Sequence, residues 1–184
     1  MVQPMALHDR SLKQRWAAGD PLIGFFLRFS VPEVVEVIAL SGADFVILDL
    51  EHGAFTREAV SRCLLTATTA GVEPIVRLAD TNLADIQFVI GAGARGIIIP
   101  HAADAVEVAA VATFARSTGL ERGFAGASRI SSLRQSDWLS FKARMEGELL
   151  VIAQIDEPAG ILAADDIIAS AGLDAVFLGR IGLT

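Results

Sequence analysis

One local unit recurs along this 184-residue chain: an Ala- or Leu-rich helical segment, then a glycine, then a short apolar run. Gly42–Asp49, Gly71–Arg77, Gly93–Pro100 and Gly172–Gly179 each enter such a run through the glycine, and Leu22–Leu27 and Leu149–Ile155 fit the same template. Between them, Pro32–Leu40, Thr56–Ala70, Ala84–Ile90, Ala105–Ala115, Ser136–Glu146 and Ala159–Ala169 carry helical spacing. A strand that is apolar throughout is buried on both faces. Strands of that kind alternating with helices predict an α/β fold on a parallel sheet, either an open doubly wound sheet or a barrel. Helix boundaries have local causes. Ser30 ahead of Val31-Pro32 offers a capping hydroxyl and an N-terminal proline, and Gly42, Gly71 and Gly93 stand where a left-handed C-terminal cap is wanted.

Composition narrows the function classes. Hydrophobic residues make up 53% of the chain and charged residues 20%, which excludes intrinsic disorder. Charged residues and glycines break the apolar runs well short of the ~18 uninterrupted positions a membrane span needs. Fifteen basic against 22 acidic residues give a net charge of −7 with no basic tract, so neither nucleic acid nor a membrane is an expected partner. The single cysteine, Cys63, has no partner for an internal disulfide and sits in a predicted helix as a small apolar residue. A cytoplasmic location is expected. No linker-like shift in composition interrupts the repeating units, so residues 1–184 are read as one domain. The long irregular stretch Ser117–Gln135, rich in Gly, Ser and Arg, is the candidate functional loop.

In a parallel βα sheet, ligands meet the protein at the carboxyl ends of the strands. Polar residues stand there in several runs: Asp49-Leu50-Glu51-His52, then Arg77, Pro100-His101, Gln154-Ile155-Asp156-Glu157, and Gly179-Arg180. Burying unpaired carboxylates and guanidiniums costs several kcal/mol, roughly, so a purely structural sheet has no use for this arrangement. Arg77 has a structural alternative, pairing with Asp49 or Glu51 on the neighbouring strand. His52, three residues after Asp49, is placed for a carboxylate to orient its imidazole as a general base requires. His101 and Arg180 are weaker candidates for the site lining, and His8 belongs to an expected tail.

Other chemistries lack their parts. The two lysines, Lys13 and Lys142, do not follow strands, which argues against a Schiff base. Gly91-Ala-Gly93-Ala-Arg-Gly96 satisfies G-x-G-x-x-G, but it follows a helix and precedes a strand, the reverse of what pyrophosphate binding needs. No P-loop, HExxH, CxxC or G-x-S-x-G occurs. Acid–base chemistry with carboxylates that hold a divalent metal survives.

These residues, taken in order, resemble the HpcH/HpaI aldolase family, the metal-dependent class II pyruvate aldolases related to citrate lyase β subunits. The resemblance runs from about Gly24 to the last residue. It rests on Asp49-Leu-Glu51-His52, Val76-Arg77, Gly91-Ala-Gly93-Ala with Ile99-Pro100, Arg122-Gly123, Gln154-Ile155 plus a carboxylate, and Gly172-Leu-Asp174-Ala-Val-Phe-Leu-Gly179. It implies a (β/α)8 barrel cut short after its sixth strand, since such barrels run to about 250 residues. The implied reaction is reversible aldol cleavage of a 4-hydroxy-2-oxo acid to pyruvate, or hydroxypyruvate, and an aldehyde. The implied cofactor is Mg²⁺, Mn²⁺ or Co²⁺, and a homo-oligomer is the implied assembly. On matching positions, His52 with Asp49 handles the proton and Arg77 stabilises the enolate oxygen. Gln154 contacts substrate or the metal's water, Gly179 and Arg180 line the substrate, and Asp156 ligates the metal, with Glu157 able to assist. The family's second ligand is an Asp where this chain has Gly182, which weakens the expected metal affinity. The rival expectation is a metal-site-deficient, non-catalytic paralogue or fragment acting in binding or assembly. A related thioester enzyme, with Arg122, Arg129 and Arg134 meeting a CoA phosphate, ranks below both.

Overall fold

The computed structural model describes residues 10–117 and 147–179. Its elements follow in the order α1 (Leu12–Ala17), β1 (Gly24–Leu27), α2 (Pro32–Leu40), β2 (Phe45–Asp49), α3 (Arg57–Ala70), β3 (Glu73–Arg77), α4 (Leu83–Ala92), β4 (Gly96–Ile99), α5 (Ala105–Ser117), β5 (Leu150–Ile155), α6 (Pro158–Leu162), α7 (Ala164–Ile168) and β6 (Ala175–Leu178). All six strands are parallel and stand in the sheet in chain order, β1 through β6.

That order chooses between the two architectures left open by the strand pattern, in favour of the barrel implied by the resemblance. A doubly wound sheet reverses its strand order at a switch point and so carries helices on both faces; here no reversal occurs. The sheet instead curls on itself. The Phe26 ring on β1 and the Phe177 ring on β6 lie 5.8 Å apart between centroids, whereas a flat sheet at about 4.8 Å per strand would separate those strands by about 24 Å. Six parallel strands thus form an incomplete barrel, with helices outside and a second apolar layer inside. Among the described residues, β1 pairs only with β2 and β6 only with β5.

Alternation along each strand sorts the side chains. Val46, Leu48, Val76, Ile97, Ile99, Val151 and Ala153 face outward into one large core with α2 to α5. Ile47, Ile75, Ile98 and Leu150 face inward and pack with Leu12 of α1, which lies across the amino-terminal mouth. Helix α1 had no counterpart in the sequence analysis, because six residues are too few for a periodic signal. Ser11 and Gln14 form a capping box at its start, and Lys13 reaches Asp174 (2.8 Å) while Arg15 reaches Asp44 (2.7 Å), tying it to the strand entrances.

Local expectations hold with three corrections. Gly42, Gly71, Gly93 and Gly172 all adopt positive φ between helix and strand, the conformation in which glycine carries no Cβ penalty. The Ser30 cap does not form: the capping position of α2 is Val31, which makes no side-chain cap hydrogen bond, and Pro32 opens the helix. The segment expected as one helix over 159–169 is two short ones, α6 and α7, meeting at Ala163. Helix α5 runs on to Ser117, two residues past its expected end and into the stretch read as loop. The rest of that loop and the helix over 136–146 lie outside the described residues.

Candidate active site

The inward-facing rows become polar at the carboxyl end. On β2 the row reads Phe45, Ile47, Asp49; on β3, Ile75, Arg77; on β5, Leu150, Ile152, Gln154. Asp49 and Arg77 are register partners in the parallel ladder, so two oppositely charged side chains emerge side by side one layer above the apolar interior. Asp49 is fully buried and Arg77 and Gln154 nearly so.

Asp49 is the hub. Arg77 donates to it twice, Nε to Oδ1 at 3.0 Å and Nη2 to Oδ2 at 2.6 Å, the bidentate geometry in which guanidinium and carboxylate match best. Arg28, after β1, adds Nε to Oδ2 at 3.0 Å, and the His52 amide donates to Oδ1 at 3.0 Å. Burial pushes the Asp49 carboxyl up, but the Arg77 bonds, the His52 amide and Arg28 outweigh it and hold the pKa below its ordinary value. Arg77 is used on every side: Nη1 donates to Gln154 Oε1 at 3.1 Å, Nη2 lies 2.8 Å from His52 Nδ1, and the guanidinium sits 4.9 Å over the Phe26 ring.

The turn after β2 brings Glu51 and His52 back over this pair. The Gly53 amide donates to Asp49 O at 3.0 Å, and a Cβ on Gly53 would lie 2.3 Å from that same oxygen, so only glycine permits the turn. The expected contact of the Asp49 carboxylate with the His52 ring is not made. Nδ1 stands 3.9 Å from Oδ1, beyond hydrogen-bond reach, and Arg77 orients the ring instead. Because a guanidinium only donates, Nδ1 accepts and the ring proton is assigned to Nε2.

A second cluster lies beside the first. His101, after β4, adopts φ 49°, a left-handed conformation uncommon for a residue with a side chain. Its Nε2 is 2.9 Å from Glu51 Oε1, and its Nδ1 is 3.2 Å from Asp156 Oδ1 and 3.5 Å from Glu157 Oε1. Burial pushes the imidazole pKa down; Asp156, Glu51 and Glu157 more than reverse this and raise it above the ordinary value. Gln154 Nε2 donates to Asp156 Oδ2 at 2.5 Å, linking the clusters. Glu51 Oε2 is 3.1 Å from Arg77 Nη1 without the angle of a hydrogen bond, and among the described residues this buried oxygen accepts none.

Arg28, Glu51, His52, Arg77, His101, Gln154 and Asp156 line a cavity of about 410 Å³, with Phe26, Phe177 and Gly179 completing its wall. Its donor set fits a hard divalent cation: carboxylates converge on an imidazole that stands in a cation's place, and one carboxylate oxygen is left without a hydrogen bond. Asp49, Glu51 and His52 also bring one ligand atom each within 4.8 Å of one another. Asp49 is committed to its guanidiniums, however, which leaves Glu51 and Asp156 as the available oxygens.

Residues 22–184 match the HpcH/HpaI aldolase/citrate lyase family. The chain belongs to this family. It is 30% identical over 177 residues to a hydroxypyruvate/pyruvate aldolase of Roseovarius nubinhibens, an alignment covering 95% of this chain and 68% of that protein. It is 29% identical over 171 residues to a 4-hydroxy-2-oxovalerate aldolase of Novosphingobium aromaticivorans, covering 92% and 64%. The HpcH/HpaI aldolase structure from Desulfitobacterium hafniense DCB-2 superposes with a TM-score of 0.85 at 28% identity, over 94% of this chain and 67% of that one. The chain thus spans about two thirds of the length of these relatives, and it is an aldolase-type enzyme by family.

For this HpcH/HpaI chain the fold gathers Glu51, His52, Arg77, His101, Gln154, Asp156 and Gly179 at one cavity, with Asp49 fully buried behind Arg77. Glu157 stands at its edge, more than half exposed. Gly179 leaves room for Asp156, whose Cβ would be 2.6 Å from a Cβ added there. Arg180, Gly182, Arg122, Arg129 and Arg134 lie outside the described residues. Sequence reasoning missed Arg28; the signal was present, since Arg28 directly follows β1 at the carboxyl end where Arg77 closes β3. Cys63 is fully buried in α3, as its small apolar role requires. Among the described residues no helix is long and apolar enough to cross a membrane.

Proposed function

We propose that this chain carries out metal-assisted, reversible aldol cleavage of a 4-hydroxy-2-oxo acid to pyruvate, or hydroxypyruvate, and an aldehyde. The observation that carries the reading is Arg77: a buried guanidinium shared among Asp49, Gln154 and the His52 ring, lining one cavity with the acidic side chains of Glu51 and Asp156. The relatives named as hydroxypyruvate/pyruvate and 4-hydroxy-2-oxovalerate aldolases support the substrate class.

Asp156 and Glu51 would hold a divalent ion, His101 moving from between them, with Glu157 near enough to assist. Bound there, the ion would supply positive charge to a 2-oxo acid and lower the cost of its enolate. The residues of this chain do the rest. Arg77 presents N–H groups, fixed by Asp49, to the oxygen on which enolate charge develops, and being preorganised it need not reorient as the charge forms. Asp49 remains ionised, because protonation would cost it the Arg77 pair. A substrate oxygen that accepts the Arg77 Nη2 hydrogen bond in place of His52 frees the lone pair on His52 Nδ1 to take the 4-hydroxyl proton, while Arg77 keeps its charge. In cleavage the 4-hydroxyl loses its proton and the C3–C4 bond breaks. Its electron pair forms the enolate, and a proton returned to C3 gives pyruvate.

The test is proton–deuterium exchange at the pyruvate methyl group in D₂O, read by NMR with and without Mn²⁺ or Mg²⁺ and with no aldehyde present. Metal-dependent exchange, reduced at least about a hundredfold in Arg77→Ala, is the expected result. A folded wild-type sample that exchanges no faster than buffer overturns it. That outcome favours the second reading, a metal-site-deficient, non-catalytic paralogue or fragment acting in binding or assembly, which Gly182, where the resemblance expects a second ligand, motivates.

A further inference from the structure

A second cavity, of about 240 Å³, lies inside the barrel, bounded by α1 and largely by the inward faces of the strands. Four aromatic side chains stand around it, Trp16, Phe26, Phe45 and Phe177, and the rest of its lining is aliphatic or glycine. The indole N–H of Trp16 is the one polar side-chain group among them. Phe26 and Phe177 also line the catalytic cavity and so form a partition between the two. Arg77, which stacks on the Phe26 ring, lines the catalytic cavity alone. The wall is a fitted one: a Cβ on Gly24 would run into the Phe45 ring, so glycine at this point of β1 is what lets that ring lie against the strand. Trp16, nearly half exposed on α1, stands where the volume can meet solvent.

We propose that this interior cavity binds a small uncharged aromatic molecule, about the size of two fused rings. The inference is independent of the aldol chemistry proposed above. Water is a poor occupant, because a buried water needs several polar partners and this lining offers one side-chain donor. A cavity of about 150 Å³ lined by Leu, Ile and Phe stays dry and takes up benzene. The larger volume here leaves room for a second ring. Aromatic side chains on several walls favour an aromatic guest, which gains offset or edge-to-face contacts beyond simple burial. A charged guest would be buried with no partner, at a cost of several kcal/mol, roughly.

The experiment needs no turnover and no metal. Isoleucine methyl groups of the full chain are followed by NMR during titration with naphthalene up to its solubility limit. Ile47, Ile75, Ile98 and Ile152 line the interior cavity and none of them lines the catalytic one, whereas Ile97 and Ile99, on either side of Ile98, face the outer core. The expected result is ring-current shifts that saturate at the four lining residues and leave Ile97 and Ile99 almost unmoved. Ile75→Phe, which puts a ring of the protein's own into the cavity, is expected to weaken binding at least about tenfold, and Ala175→Leu serves the same purpose if that variant does not fold. The carboxylate analogue 2-naphthoate is expected to leave the four methyl groups unshifted. Absence of saturable shifts in wild type overturns the proposal, since the volume then admits no guest. Shifts confined to other isoleucines place the probe elsewhere on the protein and overturn it equally, without any variant. Equal shifts with 2-naphthoate refute the uncharged class.

Discussion

Removing the Asp49 carboxylate isolates the interaction on which the site is built. Asp49→Ala deletes two hydrogen bonds from Arg77, one from Arg28 and one from the His52 amide. It leaves Arg77, 7% exposed at its side chain, without its main counter-charge. Breaking a buried pair from one side costs about 3–5 kcal/mol, because the surviving charge stays desolvated. Glu51 remains 3.1 Å from Arg77 Nη1, which places the expected loss at the lower end, about 3 kcal/mol. For a chain of this size that corresponds to a fall in Tm of roughly 6–12 °C. Urea unfolding followed by circular dichroism measures it. The double variant Asp49→Leu/Arg77→Met removes both charges and should recover to within about 1 kcal/mol of wild type, with no pyruvate exchange. The reasoning is refuted if Asp49→Ala lies within about 1 kcal/mol of wild type, or if the double variant is no more stable than the single one.

Other expectations follow from the same geometry. Because Asp49 has a lowered pKa in the folded protein, its stabilisation is complete above the ordinary carboxylate range and is lost as pH falls from about 4 through the folded value; Tm measured between pH 2 and 6 should show an acid limb that Asp49→Ala shortens. His101 has the opposite sign: its raised pKa means that its contribution is present below about 6.5 and lost as pH rises through the folded value, so metal-free wild type should lose Tm relative to His101→Gln between pH 6 and 9. Gly179→Ala presses a methyl group onto Asp156 and should weaken Mn²⁺ binding in calorimetry at least about tenfold, and unchanged affinity would show that Asp156 is not a ligand. Cys63, fully buried and with its thiol pushed up by burial, should resist Ellman's reagent in the native state and react only when urea unfolds the chain.

Much of the fold was legible because its signals are local. An apolar run needs burial on both faces, a left-handed glycine ends a helix, and a proline starts one, each decided within a few residues of chain. All six strands and most helices followed from such signals. The misses were those with weak local signals: six-residue α1, stabilised by Lys13–Asp174 and Arg15–Asp44 across the sheet entrances, and the break at Ala163 between α6 and α7. Whether the sheet opened or curled was invisible to these local signals, because each strand's sequence is satisfied by either arrangement; the family resemblance implied the barrel, and the curled sheet agrees with it.

The candidate site divides along the same line. By itself the sequence determined that Asp49, Glu51, His52, Arg77, Gln154 and Asp156 stand at strand ends, since strand length and period-two alternation fix which residue comes last and on which face. Only the tertiary structure decided their pairings: that Arg77, rather than Asp49, orients the His52 ring, that His101 spans Glu51 and Asp156, and that Arg28 shares an oxygen with Arg77. Those contacts join residues from four or more strands. Ångström-scale differences in strand register and sheet curvature separate a hydrogen bond from a miss, and such differences leave no trace in any one strand's sequence.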